Sequence, residues 1–71
     1  MNTDERFDLL SSVDWSIRRV KELHQTTVLD LQKAVAQENR AGEGYLRGKE
    51  VGLDLALMHL EAVQHSIKAG V

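Results

Sequence analysis

Gly44-Tyr-Leu-Arg-Gly48-Lys-Glu-Val-Gly52-Leu-Asp-Leu-Ala56 is the stretch whose reading decides the fold. Its smallest residues recur every fourth position, and every fourth position of an α-helix returns to one narrow face, one turn higher. The spacing therefore predicts a helix with a strip bare of side chains, about 18 Å long at ~1.5 Å rise per residue. Three glycines inside a helix cost about 3 kcal/mol against alanine unless close packing offsets them. A neighbouring helix lying close against the strip is the expected compensation.

On both sides of the strip the helix is apolar. One row is Leu46, Leu53, Leu57, Leu60, Gln64 and Ile67; a second is Val51, Leu55, Met58 and Ala62. A helix in a two-helix hairpin needs one apolar stripe of about 100°. This one has two, which predicts that the hairpin associates further. Upstream, Leu10, Val13, Ile17, Val20, His24, Thr27, Leu31 and Ala34 alternate spacings of three and four, the pattern by which one helix buries a seam against another. Between these segments the apolar period fails, and Gly42 follows a polar run from Gln37, which predicts the turn there.

The expected fold is thus all-α. A short helix at about 4–10 precedes a long helix at about 12–39, a turn at 40–43 and a long helix at about 44–69 stopped by Gly70. Ser11-Ser12 is a candidate break, since serine oxygens cap helix starts. Thr27-Val-Leu-Asp30 has the form of a capping box, which makes Gln25-Thr26 a second candidate, although the seam stays in phase across it. With the turn near Gly42, Leu53 is expected near Leu31, Leu57 near Thr27, Leu60 near His24 and Ile67 near Ile17. The first dozen residues then overhang, leaving Phe7, Leu9 and Leu10 to fold back or meet another subunit. A helical-bundle homo-oligomer accommodates both surpluses, with Phe7, Leu10, Gly48, Gly52, Leu55 and Met58 as the self-association residues.

Composition agrees with that architecture. The chain has 71 residues, no proline and no cysteine, 42% hydrophobic and 28% charged residues, and a formal net charge of −2. Chains of this size bury only about 60% of their unfolded surface, and without disulfides self-association is the usual support. The charge argues against broad phosphate-backbone binding. No apolar run has membrane length, Arg47, Lys49, Glu50 and Asp54 interrupt the small-residue motif, and the acidic N-terminus lacks the pattern of a signal peptide; cytoplasm is the expected location.

No chemistry-bearing motif concentrates a nucleophile, base and orienting group, and the glycines do not lie between a strand and a helix as phosphate loops require. No catalytic residue, cofactor or metal is assigned: His59 and His65 are six apart, off a common helical face. His24, inside an apolar seam, reads as a hydrogen-bonded core histidine, with a pH-sensitive register device or a ligand-binding group as the alternative. Trp15 stands off the seam beside Arg18, Arg19 and Glu22, with Asp14 placed to pair with Arg18. Trp and Arg are enriched where binding energy concentrates, so these four are the expected site for a protein partner, the alternative being that Trp15 packs at the oligomer interface or under a folded-back N-terminal segment with Phe7. A basic group at the turn, Arg40, Tyr45, Arg47 and Lys49, is the alternative, a contact for a small anion, nucleotide or nucleic acid.

Leu55-Ala-Leu-Met-His-Leu-Glu61 resembles the LALxxLE pattern of small phage-encoded helical proteins that sequester cyclic nucleotide messengers; the resemblance spans seven residues and carries over no binding residue. In its small, cysteine-free, helical character the chain is similar to phage or plasmid accessory proteins that bind one host protein. That likeness implies an inhibitor, adaptor or regulator.

Overall fold

The computed structural model describes residues 2–70 as two helices, α1 (Thr3–Ala36) and α2 (Arg40–Lys68), joined by a three-residue turn into an antiparallel hairpin. The hairpin measures 53 × 15 × 12 Å, and its radius of gyration is 16.1 Å. A globular chain of this length would have about 11 Å. No described helix is long and apolar enough to cross a membrane.

α1 is one helix, so the separate short helix expected at 4–10 does not exist, and neither Ser11-Ser12 nor Gln25-Thr26 breaks the chain. At Gln25-Thr26, and one turn beyond Ser12, hydroxyl side chains bond back into the helix. Thr26 Oγ1 and Thr27 Oγ1 donate back to the carbonyls of Glu22 and Leu23, at 3.1 and 2.7 Å, and Ser16 Oγ donates to Ser12 O at 3.0 Å. Back-bonded this way, hydroxyl residues continue a helix instead of capping a new one. The true cap lies upstream. Asn2 Oδ1 accepts from the Glu5 amide at 2.8 Å while Asn2 Nδ2 donates to Glu5 Oε1, and Asp4 and Glu5 add negative charge to the first turn.

The turn comes earlier than Gly42. Glu38 takes the left-handed conformation at φ 56°, its amide donates to Val35 O, and the Asn39 amide reaches Ala34 O, the paired bonds of a Schellman motif. Asn39 then caps α2 by accepting from the Gly42 amide at 3.0 Å. Gly42 is inside the first turn of α2, where a Cβ would come within 2.5 Å of Asn39 Nδ2. Its bareness makes room for the cap. At the other end Lys68 closes α2 and Gly70 stops it at φ 77°.

An earlier turn changes the register. The cross-helix partners His24–Asp54 and Asp14–Gln64 each total 78 in residue number, and Arg6–Gly70 totals 76. These bracket 77, the total at which the two seams coincide along their length, with Leu10 level with Ile67, Ile17 with Leu60, Val20 with Leu57 and Leu31 with Leu46. The expected pairs, Leu53–Leu31, Leu57–Thr27, Leu60–His24 and Ile67–Ile17, total 84. They are one heptad out. The dozen-residue overhang disappears with them, because the Arg6 guanidinium already lies beside Gly70.

Ile17, Thr27, Ala34 and Ile67 are buried, and the remaining seam residues are half-covered. Left-handed backbone costs a non-glycine residue about 1–2 kcal/mol. Glu38→Gly is therefore expected to raise stability in urea denaturation by roughly 1 kcal/mol, whereas Gly42→Ala, by displacing the Asn39 cap, lowers it by about as much. A Glu38→Gly protein less stable than the parent would contradict this account of the turn.

Candidate functional site

Three surface features carry chemistry or binding surface, and the heptad positions of the hairpin fix where each lies. The first is the outer face of α2. Gly44, Gly48, Val51, Leu55, Met58, Ala62 and His65 alternate spacings of four and three, a second seam about 150° round the helix from the one facing α1. Val51 is 58% exposed, Leu55 59% and Met58 68%. A Cβ added at Gly44, Gly48 or Gly52 would meet nothing within 4 Å. Within the hairpin, then, the strip is not the close-packed contact that its composition suggests; α1 lies on the opposite side.

Of the self-association residues read from sequence, Gly48, Gly52, Leu55 and Met58 share this outer face. Phe7 and Leu10 do not. Phe7 stands exposed near the start of α1 and Leu10 is half-buried on the inner seam level with Ile67.

The second feature is a shallow hollow of about 330 Å³ lined by Trp15, Arg18, Arg19 and Glu22. All four residues expected from sequence to meet a protein partner come together there, on the outer face of α1. Arg19 Nη1 is 3.4 Å from Glu22 Oε2, and Trp15 is 63% exposed. Asp14 turns the other way: it accepts a hydrogen bond from Gln64 Nε2 across the hairpin instead of pairing with Arg18. Because α1 is continuous, no folded-back segment brings Phe7 over Trp15. The indole is open.

The basic group at the turn is divided by helix geometry. Tyr45 and Lys49, four apart, share one flank of α2; Arg40 and Arg47, seven apart, share the other. Arg47 is also engaged, its guanidinium donating twice to Glu43 Oε1 at 2.8 and 3.1 Å.

The third feature is not legible from spacing within either helix. His24 on α1 and Glu50 and Asp54 on α2 place one ligand atom each within 4.8 Å of one another. His24 Nε2 is 2.8 Å from Asp54 Oδ1 but is not aligned to donate to it, and this solvent-shielded nitrogen has no hydrogen-bond partner. Glu50 sits half-buried on the inner seam. The register expected from the seams sets Leu60 opposite His24; the one-heptad slip is what conceals the cluster.

Comparison with protein-family models, curated proteins and solved structures finds no match for this chain. The open setting of Trp15 has a direct optical consequence. Tryptophan emission is expected at the wavelength of a water-exposed indole and open to acrylamide quenching, and Trp15→Ala should change stability by less than about 0.5 kcal/mol. Blue-shifted, unquenched emission would contradict this placement.

Proposed function

We propose that the protein is a non-catalytic, self-associating helical hairpin in which a second copy covers the outer face of α2, leaving the Trp15 hollow to bind a protein partner as an inhibitor, adaptor or regulator. The observation that carries the self-association is surface area. The chain exposes 5370 Å² at 8.0 kDa, whereas a folded monomer of that mass exposes about 4450 Å². The excess of about 900 Å² is close to the ~800 Å² that each partner contributes to a stable interface. The outer face of α2 supplies a continuous apolar part of it, whereas the exposed apolar residues of α1, Phe7, Leu9, Trp15, Leu29 and Val35, are spread along the helix.

Shape favours a particular arrangement. The outer face of α2 is bare at Gly44, Gly48 and Gly52 and bulky at Leu55 and Met58. Laid antiparallel across a two-fold axis near Val51-Gly52, the bulky half of each copy fits the bare half of the other, and every contact occurs twice. Close approach there offsets the helix-propensity cost of three glycines. The Trp15 hollow lies on the other helix and stays open, an indole flanked by guanidinium groups, which suits an acidic and apolar surface on a partner protein.

Gly48→Leu separates this reading from a solitary hairpin. In the hairpin alone the new side chain meets open space and replaces a poor helix former, so stability would rise by roughly 0.5–1 kcal/mol. Under the proposal the helical circular dichroism persists, but the thermal midpoint falls and lacks the dependence on protein concentration expected of the parent protein. A raised midpoint in Gly48→Leu, with no concentration dependence in either protein, contradicts the proposal. For the partner surface, Trp15→Ala is expected to abolish capture of the partner from host extract while leaving the concentration dependence intact; undiminished capture removes Trp15 from the site.

A further inference from the structure

The geometry points to a divalent transition-metal site formed by His24 Nε2, Glu50 and Asp54, which clamps α1 to α2 at the middle of the hairpin. His24 is 26% exposed as a side chain, yet its Nε2 is shielded and makes no hydrogen bond. A buried polar nitrogen left unpaired is costly, and so is a carboxylate on a helix seam. Both are present here at adjacent levels of the same interface. Among the described residues the half-buried Glu50 takes part in no side-chain hydrogen bond, while the exposed Asp54 meets His24 Nε2 at 2.8 Å.

The contact between His24 and Asp54 is the distinguishing detail. An N–H donated to a carboxylate lies along the line between the atoms, whereas the 2.8 Å contact here is out of line. Two ligand atoms bound about 2.1 Å from one cation and roughly at right angles to each other lie about 3 Å apart. Side-by-side acceptor atoms are the arrangement of a coordination sphere. Glu50 and Asp54 are one turn apart on α2, so both carboxylates reach toward the same point, and the three ligand atoms lie within 4.8 Å of one another.

Charge makes the same assignment. Two carboxylates with a protonated imidazole leave the cluster at −1, whereas two carboxylates, a neutral imidazole and a divalent cation leave it neutral. One nitrogen and two oxygen ligands suit zinc and its first-row neighbours, such as cobalt and manganese. Asp54 opens the site to solvent, its side chain being 57% exposed, so water completes the coordination sphere. The site needs no second copy, and its test is independent of assembly.

Titration of the untagged, metal-free protein with Zn²⁺ in a calorimeter is expected to show one ion bound per chain, with the thermal midpoint raised by roughly 5 °C in excess Zn²⁺. Co²⁺ is expected to bind at the same site and develop visible absorption. Glu50→Gln preserves side-chain shape and should weaken Zn²⁺ binding at least tenfold, His24→Ala should abolish it, and a His59→Gln/His65→Gln double variant should bind as the parent does. Absence of Zn²⁺ binding by the parent protein at millimolar concentration overturns the inference. So does binding unaffected by His24→Ala, or lost only in the His59→Gln/His65→Gln variant.

Discussion

A pair of helices can meet along one seam, and this hairpin commits its whole inner surface to a single one. Among the described residues four are buried along a hairpin 53 Å long, two of them isoleucines, one an alanine and one the back-bonded Thr27. At about 25 cal/mol per Å² of apolar surface removed from water, a seam of half-covered leucines and valines yields little over the entropy of ordering two helices of this length. The second seam on α2 follows from that constraint. The proposed self-association through it would turn a marginal hairpin into a bundle with an interior on both sides of α2.

Registration is the other demand that a heptad hairpin makes. Sliding one helix by seven residues returns every seam position to the seam, so apolar periodicity is indifferent between alignments totalling 77 and 84. Local chemistry at the turn breaks that degeneracy. The Schellman bonds of Glu38 and Asn39 end α1 at Ala36, and the Asn39 side chain begins α2 at Arg40 against the bare Gly42. Polar partners across the seam then hold the same alignment: Asp14 with Gln64, and His24 beside Asp54. Displaced by a heptad, both pairs are broken.

What is legible in the sequence follows from the strength of each signal. Both seams, the all-helical fold and the surplus face of α2 can be read because a 3–4 alternation over many turns has no other explanation. Gly70 is readable as a stop. Gly42 misleads, because glycine is the usual left-handed residue at a helix end and here Glu38 takes that role at a conformational cost. Ser11-Ser12 misleads for a related reason: serine is a common cap residue, yet here the Ser12 carbonyl accepts from Ser16 Oγ inside a continuous helix. At the Trp15 surface, spacing alone groups Trp15, Arg18, Arg19 and Glu22, since all lie on one helix. The His24, Glu50 and Asp54 cluster joins two helices, and only the true register brings it together.

The central claim is that the outer face of α2 is covered by a second copy. Sedimentation equilibrium of the unmodified protein at micromolar concentrations tests it most directly. The expected result is a particle of at least twice 8.0 kDa that dissociates on dilution. A folded, helical particle of 8.0 kDa throughout that range would contradict it.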